Sequence, residues 1–514
     1  MIFRLVLVMA FVSGFVSLSY EVLWARMFSW STAGAASSFP MLLGLFLAGL
    51  AVGAKWSKRF SHGQPTHSTS ALRAVAAFFA ASALAGWLVI PAMAAMLSLH
   101  ANIPGYTALY FVFLAACLSG AQLPLLMHYG IPADARVGAN LSYVYVANIL
   151  GAVTGSMLTG FFWLDHASTG SIITVLTCGS LSLAYALWAS TRPDAKRLGM
   201  GGAVLLALIG LTVLAQPFLY GQVLEKLFYG AKFDGQRFKY IVENKSGFIA
   251  VDDNDVAYGG GAYDGTFSVD LINDVNGAAR PFSLSAFHPA PKSILVVGMA
   301  TGSWARVLAA HPQLERMVIV EINGGYYDLI KKYPDAAKLL DNPKIEHVAD
   351  DGRRWMHAHD EKFDAIVINA SFHHRGFMTT LLSQEFITMV KDHLHPNGVL
   401  MLNTTGSERV LKTVCEVMPN CVAYLRSAIA SPSPLDIDPE RLRDVLTHYQ
   451  LDAHPILDEK RPDHVAKLEE IIEEIRTQSG NFKSHETVMK LTKDAEIITD
   501  DNMGHEWQFS ILGL

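Results

Sequence analysis

A chain of 514 residues with 51% hydrophobic content and a mean hydropathy of +0.28 is too apolar to be two ordinary soluble domains. Its net charge of −6 is unevenly spread: up to Phe218 there are ten Lys/Arg and four Asp/Glu, leaving 30 basic and 42 acidic residues in the remainder. An acidic second part excludes a nucleic-acid partner, which calls for a basic patch. In chain order, seven windows are apolar enough over about 20 residues to cross a hydrocarbon core: roughly 5–24, 36–54, 72–95, 106–127, 141–163, 169–189 and 199–216. The first is expected to stay in the mature chain, because Tyr20, Glu21 and Arg26 stand where a small-residue cleavage site would lie.

Within these windows Gly49 and Gly53, and Gly151 and Gly155, have the small-xxx-small spacing that lets helices approach closely in lipid. Asn148 and Glu21 are costlier to bury; Glu21 reads either as an intramembrane functional carboxylate or as an interfacial partner of Arg26. No chain of acidic and His residues runs through the spans, which disfavours a proton-coupled pump. If the spans alternate, Arg4, Lys55, Lys58, Arg59, Arg136, Arg192, Lys196 and Arg197 share one side, and the positive-inside rule makes it the cytoplasm. Seven spans then send the following domain outside; a different count over Tyr20–Pro40 reverses that result. Cys415 and Cys421 are close enough in sequence for a bridge in an oxidising compartment, but are read as two reduced thiols.

Residues 218–237 form an amphipathic linker expected along the membrane interface. From 238 to 290 short alternating runs, with turns at Asn244–Gly247 and Asp253–Asp255, predict a β-hairpin subdomain. Over 291–430 strand and helix alternate in the parallel α/β order of a Rossmann-like unit: strands Ser293–Val297, Arg316–Glu321, Ile345–Val348, Phe363–Ile368 and Gly398–Asn403, with helices Trp304–Ala310, Tyr326–Lys332, Arg353–His359 and Ser383–Leu394. Residues 431–514 are expected to be a helical extension, with a charged amphipathic helix over Asp463–Thr477 whose polar residues are a solvated face.

Three strand ends point to a bound nucleoside. Gly298 and Gly302 in GMATG allow a tight turn and a close backbone approach before a helix. Glu321 ends the next strand, where a carboxylate can accept from both ribose hydroxyls, and Asp351 follows the third, in reach of an adenine amino group. No GKS or GKT completes a phosphate-binding P-loop, and no metal is expected.

On these residues the stretch from about Tyr240 to Ala423 resembles the spermidine synthase family of aminopropyltransferases. The segments SGFVSLSYEVLWARMFS (Ser13–Ser29), GAQLPLL (Gly120–Leu126) and YVANILGAVTGSMLTGF (Tyr145–Phe161) are similar to the bacterial membrane-fused branch of that family. The resemblance implies a multi-pass inner-membrane protein whose soluble part has the Rossmann-like fold of S-adenosylmethionine-dependent methyltransferases. It implies S-adenosylmethionine or its decarboxylated form as cofactor, an amine or polyamine as acceptor, and a homodimer contact. GMATG stands in place of the family's GGGDGG turn, differing at Met299, Ala300 and Thr301, while Glu321 and Asp351-Gly352 match the ribose and adenine ligands. GGGAYDG (Gly259–Gly265) stands where the gating loop contacts substrate, so Tyr263 and Asp264 are candidates there.

The main departure follows the fourth strand. The family has an Asp-Ser-Ser-Asp-Pro-like segment whose first acid deprotonates the attacking amine; this chain has Asn369-Ala370-Ser371-Phe372-His373. Asn cannot take a proton, and a positioned base contributes about 10²–10⁴-fold, so ordinary spermidine synthesis is disfavoured. His373, His374 or Asp264 are the candidate bases, and Asp500-Asp501 could fold back over the pocket to hold substrate. Asn369 with Phe372 also resembles the Asn-Pro-Pro-Tyr/Phe segment of amine-directed methyltransferases, without its prolines, and a cation on Phe372 would gain cation–π attraction. The preferred function is a membrane-bound alkyl or aminopropyl transferase; the alternative is a non-catalytic nucleoside sensor or transport-associated protein. Cofactor supply favours a cytoplasmic soluble domain, against the charge count.

Overall fold

A computed structural model describes residues 2–63, 65, 69–99, 105–132, 134–369, 372–451 and 454–502, and the chain divides into two units. The first is built on Met1–Arg237. Its helices are α1 (Ile2–Ser31), α2 (Ser38–Ser61), α3 (Thr69–Leu99), α4 (Tyr110–Gly130), α5 (Val137–Phe161), α6 (Thr169–Ala189), α7 (Ala195–Tyr220) and the short α8 (Val223–Tyr229). Among the described residues seven helices are long and apolar enough to cross a membrane. Over Tyr20–Pro40 the chain makes two separate helices, because Ala33 and Gly34 take positive φ (53° and 75°) and break α1 from α2. The linker read as starting at 218 starts later: α7 continues through Pro217 to Tyr220.

The paired glycines sit at helix crossings. A Cβ on Gly151 would lie 1.9 Å from the Phe11 carbonyl oxygen and one on Gly53 1.9 Å from that of Cys117, so α1 meets α5, and α2 meets α4, backbone to backbone. Asn148 offsets its burial by donating to the Ala10 carbonyl (3.0 Å). A polar seam absent from the sequence reading joins α1, α3 and α4: Ser13 donates to Gln122 (2.7 Å), which in turn donates to Ser82.

The second unit begins at Phe238. Strands β1 (Tyr240–Asn244), β2 (Gly247–Val251), β3 (Val256–Gly259) and β4 (Ala262–Thr266) form a four-stranded sheet in that order. Two single turns, α9 (Ala279–Phe282) and α10 (Leu284–Phe287), lead into the main sheet. There β5 (Ser293–Val297), α11 (Ser303–Ala309), β6 (Arg316–Glu321), α12 (Gly325–Ile330), α13 (Pro334–Ala337), β7 (Ile345–Ala349), α14 (Gly352–Ala358), β8 (Phe363–Ile368), α15 (Gln384–Asp392) and β9 (Leu394–Asn403) alternate. Continuous Val/Ile/Leu runs make these strands because both faces are covered. Ile294 and Val296 pack on one side with Ile319 and Met401, and Leu295 packs on the other with Val318, Ile366 and Leu400.

The sheet then grows beyond the sequence reading. After α16 (Glu408–Val417), β10 (Asn420–Tyr424) and β11 (Ser427–Ser431) add antiparallel, and β14 (Phe482–Lys483) pairs with β10, giving the order β14-β10-β11-β9-β8-β5-β6-β7. The segment after 431 is therefore not a separate helical extension. It carries a short hairpin, β12 (Gln450–Leu451) with β13 (His454–Pro455), and three helices, α17 (Pro439–His448), α18 (Pro462–Arg476) and α19 (His485–Leu491). Leu442 and Leu446 of α17 and Leu468 and Ile472 of α18 enter the same core as β5 and β6. The charged side of α18 bears the ion pairs Arg443–Glu469 and Lys467–Glu470. Cys415 and Cys421, read as reduced thiols, are bridged: the turn from α16 into β10 brings their Cα atoms to 5.2 Å.

Candidate functional site

Strand register builds the site. Val297 pairs with Val320 and with Ile368, and Ile368 with Leu402, so the next residues, Gly298, Glu321, Asn369 and Asn403, emerge at one level on the carboxyl edge of the sheet. From β5 the chain winds outward through β6 and β7, then returns to place β8 on the other flank of β5. Ligands in doubly wound sheets bind at such a reversal point. A cavity of about 650 Å³ opens there, lined by all four of those residues and by Asp351, a volume within the range of small-molecule sites.

The turn after β5 is left-handed at Gly298 (φ 85°), Ala300 (φ 48°) and Gly302 (φ 79°). Positive φ at Ala300 is strained for a residue with a Cβ, and what holds it is Glu321: one carboxylate oxygen accepts from the backbone N–H of Met299 (2.8 Å) and Ala300 (3.2 Å), the other from that of Asn323 (2.9 Å). Burial raises the Glu321 carboxyl above its usual range, opposed by these three N–H groups. A carboxylate offers about four acceptor sites, so one is left toward the cavity. Gly302 caps α11 and does not line the cavity. Asp351 lines it and caps α14, accepting from Arg354 N–H (2.8 Å).

The other sequence candidates divide. Asn369 lies in the cavity wall, its side-chain oxygen accepting from Asn403 (3.3 Å); Ala370 and Ser371 lie outside the described residues. Phe372 lines the cavity and stacks on His374 with ring centroids 5.3 Å apart. Neither His373 nor His374 lines it: His373 Nδ1 pairs with the Thr405 hydroxyl (2.7 Å), and burial lowers the His374 value. Asp264 and Tyr263 both line it. Asp264 accepts from the Tyr326 hydroxyl and lies 3.7 Å from Arg375, while the Tyr263 hydroxyl reaches the Val275 carbonyl (3.4 Å). Asp500 is drawn elsewhere, held by both Arg353 Nη atoms (2.7 and 2.6 Å) and by Ser383 (2.6 Å), and Asp501 is exposed; neither is in the cavity.

Three arginines of the lining were missed: Arg280, Arg375 and Arg426. Arg280 lies in the single turn α9, after the last hairpin strand, with no strand-end signal. Arg426 occupies the two-residue turn between β10 and β11, where Leu425 (φ 49°) and Arg426 (φ 62°) both take the left-handed conformation that Asn-Gly would favour. Among the described residues no group of three or more His, Cys, Asp or Glu side chains converges as a metal site.

Residues 283–434 match the family described as "Spermine/spermidine synthase domain". Relatives named polyamine aminopropyltransferase include those of a Thermoanaerobacter species (28% identical over 156 residues, 29% of this chain and 56% of the relative) and Desulforudis audaxviator (26% over 183 residues, 32% and 66%). A third, from Leptospira biflexa, is 31% identical over 114 residues, 22% of this chain and 40% of the relative. The chain thus spans between two fifths and two thirds of the length of these curated relatives. Solved structures with similarity include a spermidine synthase in complex with the transition-state analogue AdoDATO (20% identity, TM-score 0.37) and the Thermotoga maritima spermidine synthase (19%, TM-score 0.36). Each covers 46% of this chain and 88% of its own. With the family match and these relatives falling on the unit that carries the cavity, the C-terminal region of this chain is a spermine/spermidine synthase domain.

Proposed function

We propose that this chain is a transferase of the bacterial inner membrane that binds S-adenosylmethionine or its decarboxylated form in the strand-end cavity and alkylates an amine or polyamine. The observation that carries the reading is the convergence of Gly298, Glu321 and Asp351, from three successive strand ends, on one cavity at the reversal point of the sheet. These residues fit a nucleoside. Glu321 has an acceptor site left for a ribose hydroxyl, Asp351 stands one strand further along, and Gly298 brings backbone to the cavity wall. When bound, the cofactor supplies an activated carbon on a sulfonium centre, and Phe372 offers a ring face to a cation.

The amine must lose a proton before it attacks. Asn369 cannot take it and neither histidine is among the described lining residues, so, with Glu321 and Asp351 assigned to the nucleoside, the role falls to Asp264 of the three bases considered. Its neighbours Tyr326 and Arg375 hold the carboxylate in place. Asn369 is also the observation that favours the second reading, a non-catalytic nucleoside sensor or transport-associated protein.

Equilibrium binding of methylthioadenosine to the full chain in detergent tests the first reading. Glu321→Gln is expected to weaken binding about tenfold or more, the scale of a lost hydrogen bond to a charged group; unchanged affinity removes Glu321 from the site. Ligand binding without product from any amine supports the sensor.

A further inference from the structure

The cavity wall sets three arginines, Arg280, Arg375 and Arg426, beside three acids, Asp264, Glu321 and Asp351. Arg375 is opposed by Asp264 at 3.7 Å. Among the described residues neither Arg280 nor Arg426 makes an ion pair with a carboxylate of the wall. Asp274, outside the lining, acts on Arg280 as an opposite charge while its carboxylate accepts from the backbone N–H groups of Ala278 and Ala279. The Arg280 guanidinium lies over the Trp304 ring at 4.9 Å and against Gly277, where φ is 66° and a Cβ would come within 2.4 Å of it. That packing accounts for its stem and one face, yet its Nη1 is buried without a hydrogen-bond partner among the described residues. A buried donor left unmade is costly.

Arg426 shows a parallel expense. It sits in a strained turn that glycine would relieve, and the turn is pinned by its carbonyl oxygen, which accepts from the N–H (3.0 Å) and hydroxyl (2.8 Å) of Thr404 just beyond β9. Both guanidinium groups line the same cavity, where burial lowers the Arg280 value, Asp274 opposes that and Arg426 adds to it, so an anion between them would be favoured. Guanidinium forks match a carboxylate in shape and charge.

We infer that Arg280 and Arg426 form a carboxylate-recognition pair in this cavity, so that a ligand bearing a carboxylate binds there in preference to its decarboxylated counterpart. The inference rests on the nucleoside reading of the cavity. The carboxylate can belong to the nucleoside, as in S-adenosylmethionine against decarboxylated S-adenosylmethionine, or to the acceptor, as in an amino acid against the corresponding amine.

Calorimetric titration of the full chain in detergent separates the two sources. One arm compares S-adenosylmethionine with its decarboxylated form; the other, with methylthioadenosine present, compares ornithine with putrescine. In at least one arm the carboxylate-bearing ligand is expected to bind about tenfold or more tightly. Arg280→Gln and Arg426→Gln should each remove most of that preference, Arg280→Lys should retain part of it, and methylthioadenosine affinity should stay within about twofold, which also reports folding. Arg426 is exposed, so Arg426→Gln remains a test if Arg280→Gln does not fold. No preference in either arm, or a preference that survives Arg426→Gln and Arg280→Lys unchanged, overturns the inference while methylthioadenosine still binds. Failure of the wild-type protein to bind methylthioadenosine overturns the nucleoside reading and this inference together.

Discussion

Asp264 and His311 carry the sharpest expectations at the scale of single residues. If Asp264 is the base as proposed, Asp264→Asn should lower kcat about 10²-fold or more, the worth of a positioned base, and leave methylthioadenosine binding in place. His373→Ala and His374→Ala should cost less than about tenfold, since neither is among the described lining residues. The reverse ranking returns the role to the histidines. His311 is buried on the Ser285 hydroxyl (2.9 Å), and burial pulls its value down from 6.5 to about 4. Its folded value lies below its unfolded one, so its contribution is whole above pH 6.5 and is lost as pH falls toward 4, where the unfolded chain binds the proton first. The loss is about 3 kcal/mol by linkage. The unfolding temperature of the detergent-solubilised chain should drop between pH 7 and pH 4.5, and His311→Asn should flatten that slope; an unaltered slope would assign the pH dependence to other groups.

The helix crossings make a cleaner contrast at the scale of elements. Gly151 and Gly160 are both on α5, but a Cβ at Gly151 would strike the Phe11 carbonyl while one at Gly160 meets nothing within 4 Å. Gly151→Leu is expected to destabilise by about 1–3 kcal/mol or more through overpacking, and Gly160→Leu to be tolerated. Equal unfolding temperatures for the two variants would mean that α1 and α5 do not cross there. In the second unit the strands from Ser293 to Ile368 were legible almost to the residue: β5, β6 and β8 hold runs of four apolar residues, and β7, with Glu346 and His347 inside it, was found from its place in the strand–helix alternation. Strands β10, β11 and β14 were not. Asn420–Tyr424 and Ser427–Ser431 are short and carry Ala, Ser and Asn, so only their pairing with β9 and with each other makes them strands.

For the whole molecule, three observations pull in two directions. The basic joints between the seven apolar helices and the Cys415–Cys421 bridge, of a kind favoured in oxidising compartments, both argue for the second unit lying outside the cytoplasm. The proposed cofactor would require it inside, where S-adenosylmethionine is made. A pair of C-terminal reporters, one active only in the cytoplasm and one only outside, decides between them. The transferase reading requires the cytoplasmic signal, together with free Cys415 and Cys421 thiols on denaturation in an alkylating agent. An external signal with the bridge intact would leave the pocket without a nucleoside supply and favour the sensor.

Hydropathy, period and turn residues alone predicted the seven apolar helices, the β-hairpin strands, the parallel core, and Gly298, Glu321 and Asp351 at strand ends, while Asn369 was singled out only by the family resemblance. All but Asn369 follow from local pattern, and residues after successive parallel strands are carried to one edge by register. Tertiary structure alone decided which candidates face the cavity. It drew Asp500 to Arg353, turned His373 toward Thr405, and kept Asp264 in the wall. It also brought Arg280 and Arg426, 146 positions apart in the chain, to one cavity. Neither has a local signal, since one depends on packing over Trp304 and the other on a turn formed only once β11 pairs with β9.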